Sequence, residues 1–146
     1  MLLLSCKKQE VVFDLLPNEQ LEMPLLLNIN GKPAFLDAQN NMFRYALSKN
    51  SLVQFAAAVS FDEISEVWID DKKIVNGGMH HFGDITINKP YKVVFKTNNK
   101  DFNFNLYFTN LPIVQVTTLS KIKTDPKSIA RINICRPDPN DINIVS

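Results

Sequence analysis

Two thiols, two histidines and a few grouped carboxylates are the side chains of this 146-residue chain best suited to chemistry. Cys6 follows Leu3-Leu4-Ser5 and precedes Lys7-Lys8-Gln9-Glu10; its thiolate is a nucleophile that an alkyl or acyl group can cap. Cys135 closes the run Ile132-Asn133-Ile134-Cys135, and neither cysteine has a Cys-x-x-Cys neighbour, so the spacing gives no zinc site. His80 and His81 are adjacent. In a strand such neighbours point to opposite faces and do not chelate one metal together; in a loop after Gly77-Gly78 they would face solvent or pack against Phe82. Asp70-Asp71 stand beside Lys72-Lys73 in a charged turn, where exposed ion pairs contribute about 0–1 kcal/mol. Asp138, Asn140 and Asp141 offer oxygens suited to Ca²⁺, but no glycine-containing loop of the EF-hand kind surrounds them. Phosphate-cradling glycine loops, HExxH and nucleophile-elbow patterns are absent from the sequence. These residues lead us to expect no catalytic residue, no metal site and no cofactor.

Binding is what remains, and aromatic side chains are its candidates. Trp68, Tyr91 and Tyr107 could stack on a sugar ring. Tyr91 shares its parity with Val93 and Phe95, which places it in a core. Tyr107 lies opposite the Phe102, Phe104, Leu106 and Phe108 face, together with Asn103 and Asn105. That strip suits contact with a glycan or a protein, and it equally suits an ordinary solvent face.

The elements that must position these residues are strands. Sixteen basic and fifteen acidic side chains leave a net charge of +1, without the clustered Lys and Arg that a nucleic-acid partner demands. With 45% hydrophobic residues the chain has material for one packed core, and no stretch approaches the roughly 20 apolar residues of a membrane-spanning helix. Leu25, Leu27 and Ile29 alternate before an Asn30-Gly31-Lys32-Pro33 turn. Met42 to Leu47 and Leu52 to Phe61 follow; within the second, Val53 to Val59 is the one run whose alanines would suit a helix, and its alternation at Val53, Phe55, Ala57 and Val59 favours a strand. Val67-Trp68-Ile69, the charged turn and Ile74-Val75 read as a hairpin, and Ile85 and Ile87 alternate around Thr86. Tyr91 to Thr97 and Phe102 to Thr109 form the clearest pair, joined by Asn98-Asn99-Lys100-Asp101. A lone hairpin cannot cover its own apolar face. Short strands separated by turn signals therefore predict an all-β fold, an Ig-like antiparallel β-sandwich over 25–110 with ten Phe and one Trp filling the middle. Residues 6–24, with Pro17 and Pro24, read as a tether that adds at most one edge strand at Val11-Val12-Phe13.

Three stretches carry resemblances. Leu3-Leu4-Ser5-Cys6 resembles the lipobox of bacterial lipoproteins, with residues 1–5 as a shortened signal remnant. The likeness implies a diacylglycerol thioether on Cys6, and Lys7, Lys8, Gln9 and Glu10 look like the charged export segment of surface lipoproteins in Gram-negative bacteria. The implied location is the bacterial outer membrane or cell surface, held by acyl chains that each add about 0.8 kcal/mol per buried methylene; a periplasm-facing anchor is compatible too. If Cys6 is acylated, Cys135 has no partner in the chain; the alternative is a Cys6–Cys135 bridge. The pattern from Phe61 to Phe108 looks like small bacterial Ig-like modules that stand in front of another domain.

Residues Thr109-Asn110-Leu111-Pro112-Ile113-Val114-Gln115-Val116-Thr117-Thr118 and Thr124-Asp125-Pro126-Lys127-Ser128-Ile129-Ala130-Arg131-Ile132-Asn133-Ile134 resemble the opening of the CotH family of spore-coat-type kinases and their lipoprotein relatives. The resemblance implies that 111–146 begins a second, incomplete CotH-like domain; the alternative is that these are the last strands of the same sandwich. The ATP-contacting lysine and Mg²⁺-holding aspartates of that family have no counterpart in 1–146. The expected role is thus to present the downstream domain or to contact a partner, with a kinase's accessory front or a glycan-binding adhesion module as the alternatives.

Overall fold

The computed structural model describes residues 25–62, 66–118 and 130–138. Cys6, the Lys7, Lys8, Gln9 and Glu10 segment, the tether, Asn140 and Asp141 lie outside the described residues. Among the described residues twelve strands run in chain order: β1 (Leu27–Ile29), β2 (Lys32–Pro33), β3 (Phe35–Asp37), β4 (Met42–Ala46), β5 (Phe55–Phe61), β6 (Glu66–Ile69), β7 (Lys72–Lys73), β8 (Gly78–Gly83), β9 (Tyr91–Lys96), β10 (Asp101–Thr109), β11 (Ile113–Thr118) and β12 (Ala130–Cys135). A 3₁₀ turn at Lys49–Ser51, capped by the Ser48 hydroxyl, precedes β5. No helix among the described residues is long and apolar enough to cross a membrane.

The fold is all-β, a sandwich of two sheets. One has the order β2-β1-β5-β8 and the other β3-β4-β10-β9-β6-β7, while β11 and β12 pair with each other. Local chemistry makes the turns. Asn30 and Gly31 take φ of 50° and 74° between β1 and β2, and Asp70 and Asp71 take 45° and 64° between β6 and β7. Two successive left-handed residues match the right-handed twist of the flanking strands, and Asn, Asp and Gly tolerate that conformation best. The charged turn is accordingly two residues long, and Lys72-Lys73 belong to the strand rather than to the turn.

The β9–β10 hairpin has the alternation read from the sequence: Tyr91, Val93 and Phe95 are buried between exposed Lys92 and Lys96, and Phe104, Leu106 and Phe108 are buried between exposed or half-exposed neighbours. Lys96 pairs with Asp101, and the loop spans Thr97 to Lys100. Its organiser is the Thr97 hydroxyl, which donates to the Lys100 carbonyl at 2.8 Å.

Three expectations are corrected. The larger sheet is mixed, not purely antiparallel, because β4 runs parallel to β10 with Phe43 opposite Leu106 and Tyr45 opposite Phe108. The chain leaves the smaller sheet after Pro33 and crosses at Ala34 into β3, and β4, turning back antiparallel to β3, lies beside β10 with no hairpin between them to impose antiparallel order. Ile85-Thr86-Ile87 is loop; the Ile85 N–H donates to the Leu52 carbonyl at 2.7 Å, and Asn88 turns the chain with φ 61°. Trp68 does not join the core. Val67 and Ile69 take the inward positions of β6, so pleat parity turns Trp68 to the outer face under the Lys96 ammonium, 4.6 Å from the ring.

Phenylalanines do fill the middle. Phe108 meets the rings of Phe82, Tyr91, Phe55 and Tyr45 at 5.2, 5.4, 5.7 and 6.1 Å, mostly edge to face. Phe104 meets Phe43 and Phe95 at 5.2 and 5.9 Å. The β12 end docks on the sandwich. Leu47 bridges to Asp138, the Asp138 carboxylate pairs with the Lys32 ammonium, and Cys135 is buried beside Pro33, Phe35 and Tyr45.

Candidate contact groove

Cross-strand register decides which outward side chains become neighbours. On the solvent face of the larger sheet, Phe35, Arg44 and Tyr107 form one row across β3, β4 and β10. Asp37, Met42, Asn105 and Lys92 form the next, and Asn103, Val94 and Trp68 another. Successive rows lie about 7 Å apart along the strands.

The Tyr107 row opens into a groove of about 440 Å³, within the size range of small-ligand sites. Met42, Arg44, Asn88, Tyr107 and Thr109 form its floor and near wall, and Leu111, Pro112, Ile113 and Val114 form the far wall. Asn88 is brought there by its left-handed backbone, whose N–H donates to the Phe108 carbonyl at 3.1 Å. Leu111 and Val114 stay more than half exposed, at 66% and 57%, so the far wall presents apolar surface to whatever enters.

Arg44 is the single charged residue of the lining among the described residues. Its Nε donates to the Met42 sulfur at 3.4 Å, a poor acceptor, and among the described residues no carboxylate pairs with it. Asp37 in the adjacent row is engaged elsewhere. The Asn40 side-chain amide donates to it at 2.8 Å and holds its carboxyl below the ordinary range, with the Asn40 backbone N–H and then the Arg44 charge acting in the same direction. The Tyr107 hydroxyl and the Asn88 amide likewise make no hydrogen bond to a described residue. Three unengaged polar groups thus converge on one partly apolar groove.

Of the sequence candidates, only Tyr107 lines this groove. Asn105 sits one row away and Asn103 two rows away, about 13 Å along β10 from Tyr107. Tyr91 is buried, and burial raises its phenol above the ordinary value. Arg44 and Asn88 belong to no motif of the sequence, and Leu111-Pro112 enters it only through a family resemblance, because what joins them to Tyr107 is the parallel β4–β10 register and a loop.

The remaining candidates separate. His80 and His81 lie on β8 and face opposite ways, His80 half-buried with its ring edge-on to Phe82 at 4.5 Å and His81 exposed. No group of three His, Cys, Asp or Glu among the described residues is placed to hold a metal. Burial pushes the His80 imidazole below its ordinary pKa of about 6.5, Lys72 and His81 add to that, and Asp70 opposes it. The unfolded chain therefore binds this proton more readily than the folded one. Stability is unaffected by His80 above about pH 6.5, and falls as pH drops from there until the folded state's own lower pKa is reached. Urea unfolding of His80→Gln should lose less stability than wild type between pH 7.5 and pH 5; parallel losses would refute the assignment. Exposed Glu66 is held below the ordinary range first by its bond from Lys73 at 2.7 Å, then by the Lys96 charge.

Cys135 is buried and disulfide-bonded; the other cysteine, Cys6, lies outside the described residues. A disulfide closed within one molecule and a lipid thioether on Cys6 draw on the same sulfur, so intact mass before and after reduction separates the two fates. No protein-family model, curated protein or solved structure matches this chain.

Proposed function

We propose that this chain is a non-catalytic, contact-making β-sandwich region of a surface lipoprotein, tethered at its N-terminus and engaging a partner through the groove at Tyr107. The observation that carries the reading is the convergence of unengaged Arg44, Tyr107 and Asn88 on one open, partly apolar groove. An Ig-like assignment is supported by strand order. β1-β5-β8 against β10-β9-β6 follows the A-B-E and G-F-C order of such sandwiches, with β4 added beside β10. The lipobox-like Leu3-Leu4-Ser5-Cys6 supports a lipid anchor at the outer membrane or cell surface.

A second reading, that the sandwich stands in front of a CotH-like domain and presents it, is favoured by β11 and β12. These strands pair antiparallel, and Val114, Val116 and Ile132 remain exposed at 57%, 53% and 37% on one face of the pair. A two-stranded ribbon with an uncovered apolar face gains stability from a further layer. The complete gene product would then be a CotH-type kinase or a lipoprotein relative, with this region its accessory front.

Binding of the full chain to a glycan array tests the contact reading. Loss of binding in Tyr107→Ala, with an unchanged unfolding transition, would support it. Absence of binding to every sugar, or binding that survives the substitution, would count against it. Mass spectrometry before and after reduction tests the anchor: an acylated Cys6 would support it, and a disulfide closed within one molecule at Cys135, or an unprocessed Met1, would refute it.

A further inference from the structure

We infer that the groove at Tyr107 is a site for an acidic saccharide, one whose sugar ring lies on the Tyr107 ring while its carboxylate is taken by the Arg44 guanidinium. The inference rests on the contact reading above and specifies its ligand. Charge complementarity carries it. Among the described residues Arg44 is the one charged group in the lining and no acid lines the groove, and the carboxylate nearest in sheet register, on Asp37, is occupied by Asn40. A guanidinium presents a planar fork of N–H donors that matches a carboxylate in two parallel bonds. The Nε contact with the Met42 sulfur leaves the two terminal nitrogens without a described partner.

The rest of the lining suits a sugar ring. One face of a pyranose is a patch of C–H bonds and its rim carries hydroxyls. The electron-rich face of an aromatic ring attracts such C–H groups, and Tyr107 stands next to Arg44 across a strand spacing of about 4.8 Å. One ligand ring can therefore touch both. The Asn88 amide, which both donates and accepts, is placed for a ring hydroxyl, and Leu111 and Pro112 close the far side with apolar surface. An extended acidic peptide would find no row of unpaired backbone groups here, because β4 and β10 are interior strands of their sheet.

Titration calorimetry of the full chain tests this with a glucuronic acid-containing disaccharide and with the same disaccharide after its carboxyl is reduced to a primary alcohol. The acid form should bind, and the reduced form should bind on the order of tenfold more weakly or worse, as for a lost charged hydrogen bond. Arg44→Gln should weaken the acid form about as much, Arg44→Lys by less, and Tyr107→Ala by a similar factor for both forms. Lys92→Gln, a charge removed from the same sheet face outside the groove, should change affinity by less than about twofold. If the reduced sugar binds as well as the acid, or Arg44→Gln binds normally, the carboxylate assignment is overturned while the contact reading stands. If neither form binds at millimolar concentration, the acidic-saccharide assignment is overturned, and the neutral sugars of the array decide the contact reading.

Discussion

Phe108→Ala should cost the fold about 3–5 kcal/mol, a large share of the roughly 5–15 kcal/mol that holds a domain together. Phe108 is fully buried on β10 and meets four rings, Tyr45 beside it on β4, Tyr91 on β9, and Phe55 and Phe82 from the opposite sheet. Removing its ring forfeits the transfer term and leaves a void among four aromatic side chains. Those side chains are anchored on four different strands and can collapse only in part. Tyr45 is held further by its hydroxyl, which donates to the Ile29 carbonyl at 3.1 Å. Urea unfolding followed through the single tryptophan, Trp68, reads the loss. Phe108→Leu should retain much of the stability by filling most of the space. A change below about 1 kcal/mol in Phe108→Ala would mean that the two sheets do not meet at this ring.

Phe104→Asp should abolish cooperative unfolding, whereas Asn105→Asp should move the midpoint by no more than about 0.5 kcal/mol. Both substitutions introduce the same carboxyl on neighbouring residues of β10, so their difference isolates the face. Phe104 is 9% exposed and packs on Phe43 and Phe95. A carboxyl there loses the aromatic contacts and must stay protonated or be desolvated at a cost of several kcal/mol. Asn105 is exposed opposite Lys92, where a new negative charge has a cation across the ladder. Circular dichroism and a denaturant titration of each variant suffice. Equal effects would refute the pleat register on which both sheets depend.

That register was legible without coordinates. From Tyr91 to Thr109 the side chains alternate with period two, and the alternation matches the burial observed on both strands. Asn30-Gly31-Lys32-Pro33 and Asp70-Asp71-Lys72-Lys73 were legible as turns but half as long as read: Asn30-Gly31 and Asp70-Asp71 alone take the left-handed conformations, and Lys32-Pro33 and Lys72-Lys73 are strand. Ile85-Thr86-Ile87 misled because three alternating residues carry too little pattern to separate a strand from a loop whose two apolar residues pack on the core. Trp68 misled by its bulk. Placed between two apolar residues of the opposite parity, it read as core, yet only one parity of β6 can face inward.

The groove was legible only in part. Tyr107 stood out as an aromatic on the wet face of β10, but its company was not the Asn103 and Asn105 of its own strand. Its neighbours are Arg44 from a parallel strand, Asn88 from a loop, and Leu111 and Pro112 from the link to β11. Along a strand, the face each residue takes follows from the pleat, a local steric rule that a sequence displays directly. Which strand lies alongside is settled by covering both apolar faces at once and by the chain's crossing at Ala34, a global condition. The sequence by itself therefore determined the all-β class and the inward faces of its longest alternating strands, from Tyr91 to Thr109. Tertiary structure alone set Arg44 beside Tyr107, and with it the groove in which unengaged polar groups meet.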